Sequence, residues 1–318
     1  MNAASDPDTL ESGWLTELEP VVCRLLDRHL SRTQEWFPHQ YVPWGEGRNF
    51  DGPLGGAAWE EHQSALSPGI RSALMLNLLT EDNLPGYHWA LSTHIGRQGA
   101  WGEWIDQWTA EEDRHSTALR AYIHSSRAVD PVTLERMRMS QVRTGYQPRQ
   151  ETMMANVVYV AVQEMATRVS HRNAGRHSGD ATCERLLSRI AQDENLHMVF
   201  YRDLLEAALH IDADAVLLAM CECVESFQMP AVQMPGFGQL AMDVALAGVY
   251  DLRVHHDEVL VPLLRSLSVW SLPGLRPAGE QARERLAQVL AGIDERARAF
   301  EKVKAHLSAA RSGCRMSG

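Results

Sequence analysis

The chain has 318 residues, 45% of them apolar and 22% charged, with a formal net charge of −11. That is the make-up of a soluble globular protein able to bury a sizeable core, and the acidic balance argues against a surface built for nucleic acid. No apolar run reaches the ~18–20 residues of a membrane-spanning helix, so an integral membrane protein is not expected. Met1–Leu10 lacks the basic start and apolar stretch of a signal peptide, so a cytoplasmic location is expected.

Apolar residues recur at three- and four-residue spacing through most of the chain, and no segment sustains period-two alternation. In chain order the pattern predicts helices over 10–31, 67–95, 100–126, 131–143, 150–176, 179–209, 212–227, 236–268 and 277–308. Gly and Pro clusters such as Pro43-Trp44-Gly45, Gly52-Pro53 and Pro273-Gly274 separate them. Residues 35–60 are the least regular and are expected to wrap the helices as a loop. No linker divides the chain, so one helical domain over 1–318 is expected, with flexible ends at 1–10 and 309–318. Pro85 lies within an otherwise continuous helical pattern. It cannot donate to the Glu81 carbonyl, so a kink is expected beside that glutamate.

Five cysteines, Cys23, Cys183, Cys221, Cys223 and Cys314, form no CxxC pair and make an odd count. A reduced, disulfide-free protein is the simple reading. Cys221 and Cys223 could be half a zinc site, but no matching pair stands elsewhere.

Two Glu-x-x-His motifs occur, Glu112-Asp-Arg-His115 and Glu194-Asn-Leu-His197. On a helix, positions i and i+3 share a face, so each motif points a carboxylate and an imidazole the same way. One such motif is most simply a solvated helix face. The pair says more, because Glu81 precedes Glu112 by 31 residues and Glu164 precedes Glu194 by 30. At ~1.5 Å rise per residue, that distance carries a chain out along one helix and back level along the next. Two such hairpins would bring four Glu and two His to a common centre. This ligand set matches that of ferritin-like di-iron and di-manganese bundles. Four carboxylates would neutralise two divalent ions, and two imidazoles suit Fe or Mn better than Ca or Mg. Glu81 and Glu164 each end an apolar run, where an unpartnered carboxylate is costly. The alternative is a buried salt bridge, for instance Glu164 with Arg168.

The sequence resembles the soluble acyl-carrier-protein desaturases. The resemblance lies in Leu79-Thr-Glu-Asp-Asn-Leu-Pro-Gly-Tyr87, Trp108-Thr-Ala-Glu-Glu-Asp-Arg-His115, Gln163-Glu-Met-Ala-Thr167, Ser170-His-Arg-Asn173 and Asp193-Glu-Asn-Leu-His197. Weaker matches are Glu35-Trp-Phe-Pro38, Met229-Pro-Ala231 and Trp270-Ser-Leu-Pro-Gly-Leu275. It implies an all-α fold, a ferritin-like four-helix bundle extended by additional helices. It also implies two Fe ions held by Glu81, Glu112, His115, Glu164, Glu194 and His197. Thr167 would stand on the oxygen-binding side, or merely bond back to its own helix. Asp193 and Glu111 are candidates to hold the ligand histidines through their second ring nitrogen. Trp36 and Trp108 would lie near that network, as an electron route or as plain core.

The activity so implied is O2-dependent insertion of a cis double bond into a fatty acyl chain on acyl carrier protein, with a ferredoxin-type electron donor and a homodimeric enzyme. No side chain is basic enough to deprotonate an unactivated methylene, so an oxidising metal centre is needed. Met75, Leu76, Met153, Met154, Val157 and Val160 are candidates to line an acyl tunnel, with ordinary core as the alternative. Arg136, Arg138, Arg143 and Arg149, or Arg283, Arg285, Arg296, Arg298 and Lys302, could meet an acidic carrier. The chain departs from the family pattern at Leu196, at Asn156 and Val157, and at His94, which puts chain length and double-bond position in doubt. An acetylenase or hydroxylase acting on a modified chain, and a non-catalytic iron-binding protein, are the rival readings.

Overall fold

In the computed structural model the backbone is described for residues 7–145, 150–229, 232 and 236–315, and side chains for those between 13 and 306. The described residues form helices α1 (Pro7–Arg32), α2 (Pro68–Glu81), α3 (Leu84–Ile95), α4 (Gly99–Ser125), α5 (Pro131–Thr144), α6 (Met153–His177), α7 (Ala181–Ile211), α8 (Ala213–Ser226), α9 (Phe237–Leu246), α10 (Leu252–Val254), α11 (Val261–Ser266) and α12 (Pro277–Arg315). The expected flexible ends fall partly outside the described residues. Helix already runs from Pro7 and continues to Arg315.

The helix starts follow local chemistry. Asp130, Thr152, Asp180 and Asp212 turn a side-chain oxygen to the first free backbone N–H groups of α5, α6, α7 and α8. Pro68 and Pro131 open α2 and α5, where a missing N–H costs nothing. Gly96 and Gly145, at φ 83° and 71°, follow α3 and α5.

α6 is buried on nearly every side, as expected of a helix that neighbours enclose. It pairs with α7 along its length and also meets α2, α3 and α8. α4 packs on α1, α2, α3 and α7. The bundle that matters for the site is thus α2, α4, α6 and α7, with α1 closing one side and α8 and α12 extending it. This is the all-α, ferritin-like arrangement expected from the sequence.

Two expectations need correction. Residues 67–95 are two helices, not one kinked helix. Asp82 N still reaches Leu78 O at 2.9 Å, but Asn83 N tightens to Thr80 O, and α3 begins one residue before Pro85. Asp82 pins the break, since its carboxylate accepts Ser116 Oγ of α4 at 2.7 Å and pairs with Arg138 of α5. Glu81 is therefore the last residue of its helix. Likewise 236–268 is not continuous. α9 ends at Leu246, Gly248 turns the chain at φ 75°, and α10 leads through a wider π-turn at His255–Leu260 into α11.

Residues 35–60 form the expected wrapping loop, with short 3₁₀ turns at Pro38–Gln40 and Trp44–Glu46. Arg127 fastens its far part. The buried guanidinium donates to the carbonyls of Ala57 at 3.0 Å and Ala58 at 3.2 Å and sits 4.0 Å over the Phe50 ring. Cys183, Cys221 and Cys223 are buried free thiols, and burial pushes Cys223 up to about 12.

Candidate metal centre

The four central helices bring Glu81, Glu112, His115, Glu164, Glu194 and His197 to one point, each buried. The outward and return legs run as the spacing predicts, with Glu164 and Glu194 meeting across the α6–α7 turn. On the other side α3 forms the outward leg and α4 the return. The donor atoms gather in two overlapping groups, each within 4.8 Å. One is Glu81, Glu112, His115 and Glu194; the other is Glu112, Glu164, Glu194 and His197. Glu112 and Glu194 belong to both, as bridging ligands of two ions would.

The inward-facing atoms are unpartnered. His115 Nδ1, His197 Nδ1, Glu112 Oε1, Glu164 Oε2 and Glu194 Oε1 are buried and make no hydrogen bond. His115 Nδ1 stands 3.9 Å from Glu81 Oε2, 3.7 Å from Glu112 Oε2 and 3.5 Å from Glu194 Oε1. His197 Nδ1 stands 2.9 Å from Glu112 Oε1 and 3.3 Å from Glu164 Oε2. Buried polar atoms almost always have partners, so five orphans facing one another want an occupant. Carboxylate oxygens and imidazole nitrogens are the donors a transition-metal pair takes.

Charge gives the same reading. Burial, and then the charges of Glu112 and Glu194, push the Glu81 and Glu164 carboxyls well above the usual range. Burial would lower His115 and His197, but the carboxylates around them raise both. Metal ions would replace those protons and relieve the crowding of carboxylates.

The outer nitrogens cross over between the motifs. His115 Nε2 lies 3.3 Å from Oδ2 of Asp193, the residue before Glu194. His197 Nε2 lies 2.7 Å from Oε2 of Glu111, the residue before Glu112. Each acidic residue flanking one motif therefore orients the histidine of the other. Asp193 also accepts Trp36 Nε1 at 2.7 Å and Arg114 Nη2 at 3.0 Å, and it pairs with Arg189. Glu111 also accepts Gln107 Nε2 at 2.7 Å and meets His29 Nε2 at 3.0 Å.

Trp108 Nε1 donates to Glu164 Oε1 at 2.9 Å. That removes the Glu164–Arg168 alternative, because Arg168 instead donates to Asn195 Oδ1 at 3.0 Å. Thr167 Oγ1 does bond back to its own helix, and it also reaches a candidate ligand. It lies 3.1 Å from the Gln163 and Glu164 carbonyls and 2.9 Å from Glu194 Oε2.

Sequence reasoning missed His29 and His171. His171 is fully buried, and its Nε2 lies 2.8 Å from Glu81 Oε1. His29 comes from α1, outside either motif, and only the fold could bring it in. His171 stands seven residues after Glu164, two helical turns along one face, and that spacing could have found it.

Beside the site lies a cavity of about 110 Å³ walled by Leu76, Ala166, Phe237 and Val244, with Asn77, Thr80 and Ser170 on its polar side. Of the expected tunnel residues, Leu76 lines it, whereas Met75, Met153, Met154, Val157 and Val160 pack in the core. His94 is half-buried near the end of α3. Among the arginines, Arg138, Arg283, Arg285 and Arg298 are engaged in ion pairs. Arg149 lies outside the described residues.

The sequence signature named "Fatty acid desaturase" spans residues 11–313. The chain is 42% identical over 298 residues to DesA1 of Mycobacterium tuberculosis, named as a candidate acyl-[acyl-carrier-protein] desaturase, with 91% of this chain and 88% of that one covered. It is 28% identical to the chloroplastic stearoyl-[acyl-carrier-protein] 9-desaturase of spinach, covering 85% and 72% of the two chains. The X-ray structure of DesA2 of M. tuberculosis, described as a candidate acyl-ACP desaturase, superposes with a TM-score of 0.68 at 29% identity over 85% of this chain and 99% of that one. A buried carboxylate–imidazole centre in a helical bundle, with these matches over nearly its whole length, makes this chain a member of the acyl-acyl-carrier-protein desaturase family.

Proposed function

We propose that the chain is a di-iron, O2-dependent desaturase that places a cis double bond in a fatty acyl chain carried on acyl carrier protein. The observation that carries this reading is the pair of overlapping four-residue groups with their unpartnered atoms turned inward. Glu81 and His115 would hold one iron, Glu164 and His197 the other, with Glu112 and Glu194 between them. Bound there, the ions with O2 supply the oxidising power to take hydrogen from an unactivated methylene.

The chain's own residues prepare the site. Asp193 and Glu111 fix the two imidazole planes so that Nδ1 faces inward. Trp108 ties one oxygen of Glu164 and leaves the other free. Burial of all six side chains would shield the centre from bulk water. The cavity against Leu76 and Ala166 has room for part of an apolar chain beside the metal ligands, which suits positioning rather than acid–base work. Trp36, with its indole on Asp193, would stand between the surface and His115 on an electron path from a ferredoxin-type donor. Arg136 and Arg143 flank exposed Val132, Met139 and Val142, a surface suited to an acidic carrier. A homodimer in the cytoplasm completes the proposal. Among the described residues no helix is long and apolar enough to cross a membrane.

The test is product mass after incubation with O2, reduced ferredoxin and acyl carriers of graded chain length. Loss of two hydrogens is expected. Gain of one oxygen would instead make the chain a hydroxylase, and iron uptake with no acyl product at any length would leave a non-catalytic iron protein. Thr167→Val removes the hydroxyl at Glu194 and keeps the shape. It is expected to leave helix content and iron content unchanged while uncoupling O2 consumption from product; unchanged coupling would remove Thr167 from the oxygen chemistry.

A further inference from the structure

The two outermost carboxylates of the site are held differently. Glu164 Oε1 takes the indole N–H of Trp108, a group that can only donate. Glu81 Oε1 faces His171 Nε2 at 2.8 Å. An imidazole nitrogen can present either a proton or a lone pair, and with a lone pair it can bind metal. His171 Nε2 also lies 3.8 Å from Glu194 Oε1, so it stands at the edge of the centre. Something must decide whether this third histidine is a ligand or a donor.

That decision lies two contacts away, on α2. Asn77 Nδ2 is 3.2 Å from His171 Nδ1, and Ser170 Oγ donates to Asn77 Oδ1 at 2.8 Å. Both Asn77 and His171 are buried. With its carbonyl oxygen held by Ser170, the amide turns its N–H to Nδ1, which must accept. The one proton of a neutral imidazole then sits on Nε2 and points at Glu81. Every hydrogen bond in the chain Ser170–Asn77–His171–Glu81 runs toward the carboxylate. Metal-binding histidines show the opposite pattern, with the far nitrogen donating outward, as His115 does to Asp193 and His197 to Glu111.

We propose that Asn77 is a positioning residue that fixes His171 in its Nε2–H form, which bars His171 from binding metal and ties Glu81 Oε1 so that only Oε2 is offered to the ion. This rests on the reading of the six residues as metal ligands, and it makes the two metal positions inequivalent. Asn77→Asp replaces the amide by a group that only accepts. Nδ1 must then carry the proton, and Nε2 becomes a free lone pair beside the centre.

The tautomer is read in the metal-free full chain labelled with [¹⁵N]histidine, the His171 signals being identified by their loss in His171→Gln. The parent is expected to carry its proton on Nε2, and Asn77→Asp on Nδ1. Co(II) titration follows, with helix content checked in each variant. Asn77→Leu, which neither donates nor accepts, is expected to weaken one of two Co(II) equivalents by about 10–100-fold and leave the other unchanged, the usual effect of losing a residue that orients a ligand. General loosening would weaken both. A parent that binds two Co(II) but carries its proton on Nδ1, or two unchanged affinities in Asn77→Leu, overturns this proposal alone. A parent that shows the Nε2–H form and takes up no Co(II) overturns the metal reading, and this role with it.

Discussion

Glu164→Gln is expected to make the metal-free protein more stable while emptying one metal position and abolishing turnover. The two effects have one cause. Burial, and the charges of Glu112 and Glu194, push the Glu164 carboxyl well above the usual range. The folded chain therefore holds that proton more tightly than the unfolded chain does. The sign follows by linkage. The contribution is neutral below the ordinary carboxylate pKa of about 4.3 and grows destabilising as pH rises from there to the raised value. Glutamine keeps an oxygen for Trp108 Nε1 and removes the charge, so the metal-free variant should lose less stability than the parent between acid and neutral pH. With metal the order inverts, because binding to the folded state stabilises only a chain that can bind. Thermal unfolding of both proteins at two pH values, with and without metal, reads all four corners. A metal-free variant less stable than the parent at neutral pH would show that Glu164 is held by something other than an absent ion. Glu112→Ala is the harsher change, since Glu112 belongs to both groups.

Asp193→Asn is expected to lower stability and metal affinity together. Burial alone would raise the Asp193 carboxyl, but His115, Trp36 and Arg189 outweigh it and hold it below the usual range. The carboxylate receives Trp36, Arg114, His115 and Arg189 at once. An amide can accept on one side only, and it sets an N–H against one of those donors. Breaking a buried pair of this kind costs roughly 3–5 kcal/mol, and loosening a residue that orients a ligand costs about 10–100-fold in metal affinity. The stabilising contribution is full above the ordinary carboxylate range and fades as pH falls from there through the lowered value, so parent and variant should converge only in strong acid. Denaturant unfolding across pH, together with metal titration, checks both halves. A variant with parental stability at neutral pH would mean that Arg114 and Arg189 find solvent instead.

The candidate site was legible because its six residues obey helix periodicity twice over. Two Glu-x-x-His motifs, each with a glutamate about 30 residues upstream, leave few other ways to arrange four helices. The crossed pairing of Asp193 with His115 and Glu111 with His197 was only half legible. Adjacency showed that these acids flank the two Glu-x-x-His motifs, but which histidine each holds depends on how α4 meets α7. The breaks at Asp82 and Gly248 were harder to see. Propensity favours helix on both sides of each, and the α2–α3 break is set by tertiary partners of Asp82 on α4 and α5. His29 was invisible because α1 carries no repeat of either motif. Several arginines that looked free for a partner proved to be engaged within the chain, since charge counts along a sequence do not show ion pairs across helices.

The claim that six buried side chains hold a pair of metal ions is tested most directly by metal content. The full chain, stripped and reloaded with Fe(II) without oxygen, is predicted to retain two irons per chain after desalting, and His197→Ala fewer. Failure of the parent to retain iron, or two irons retained equally by parent and variant, would contradict it.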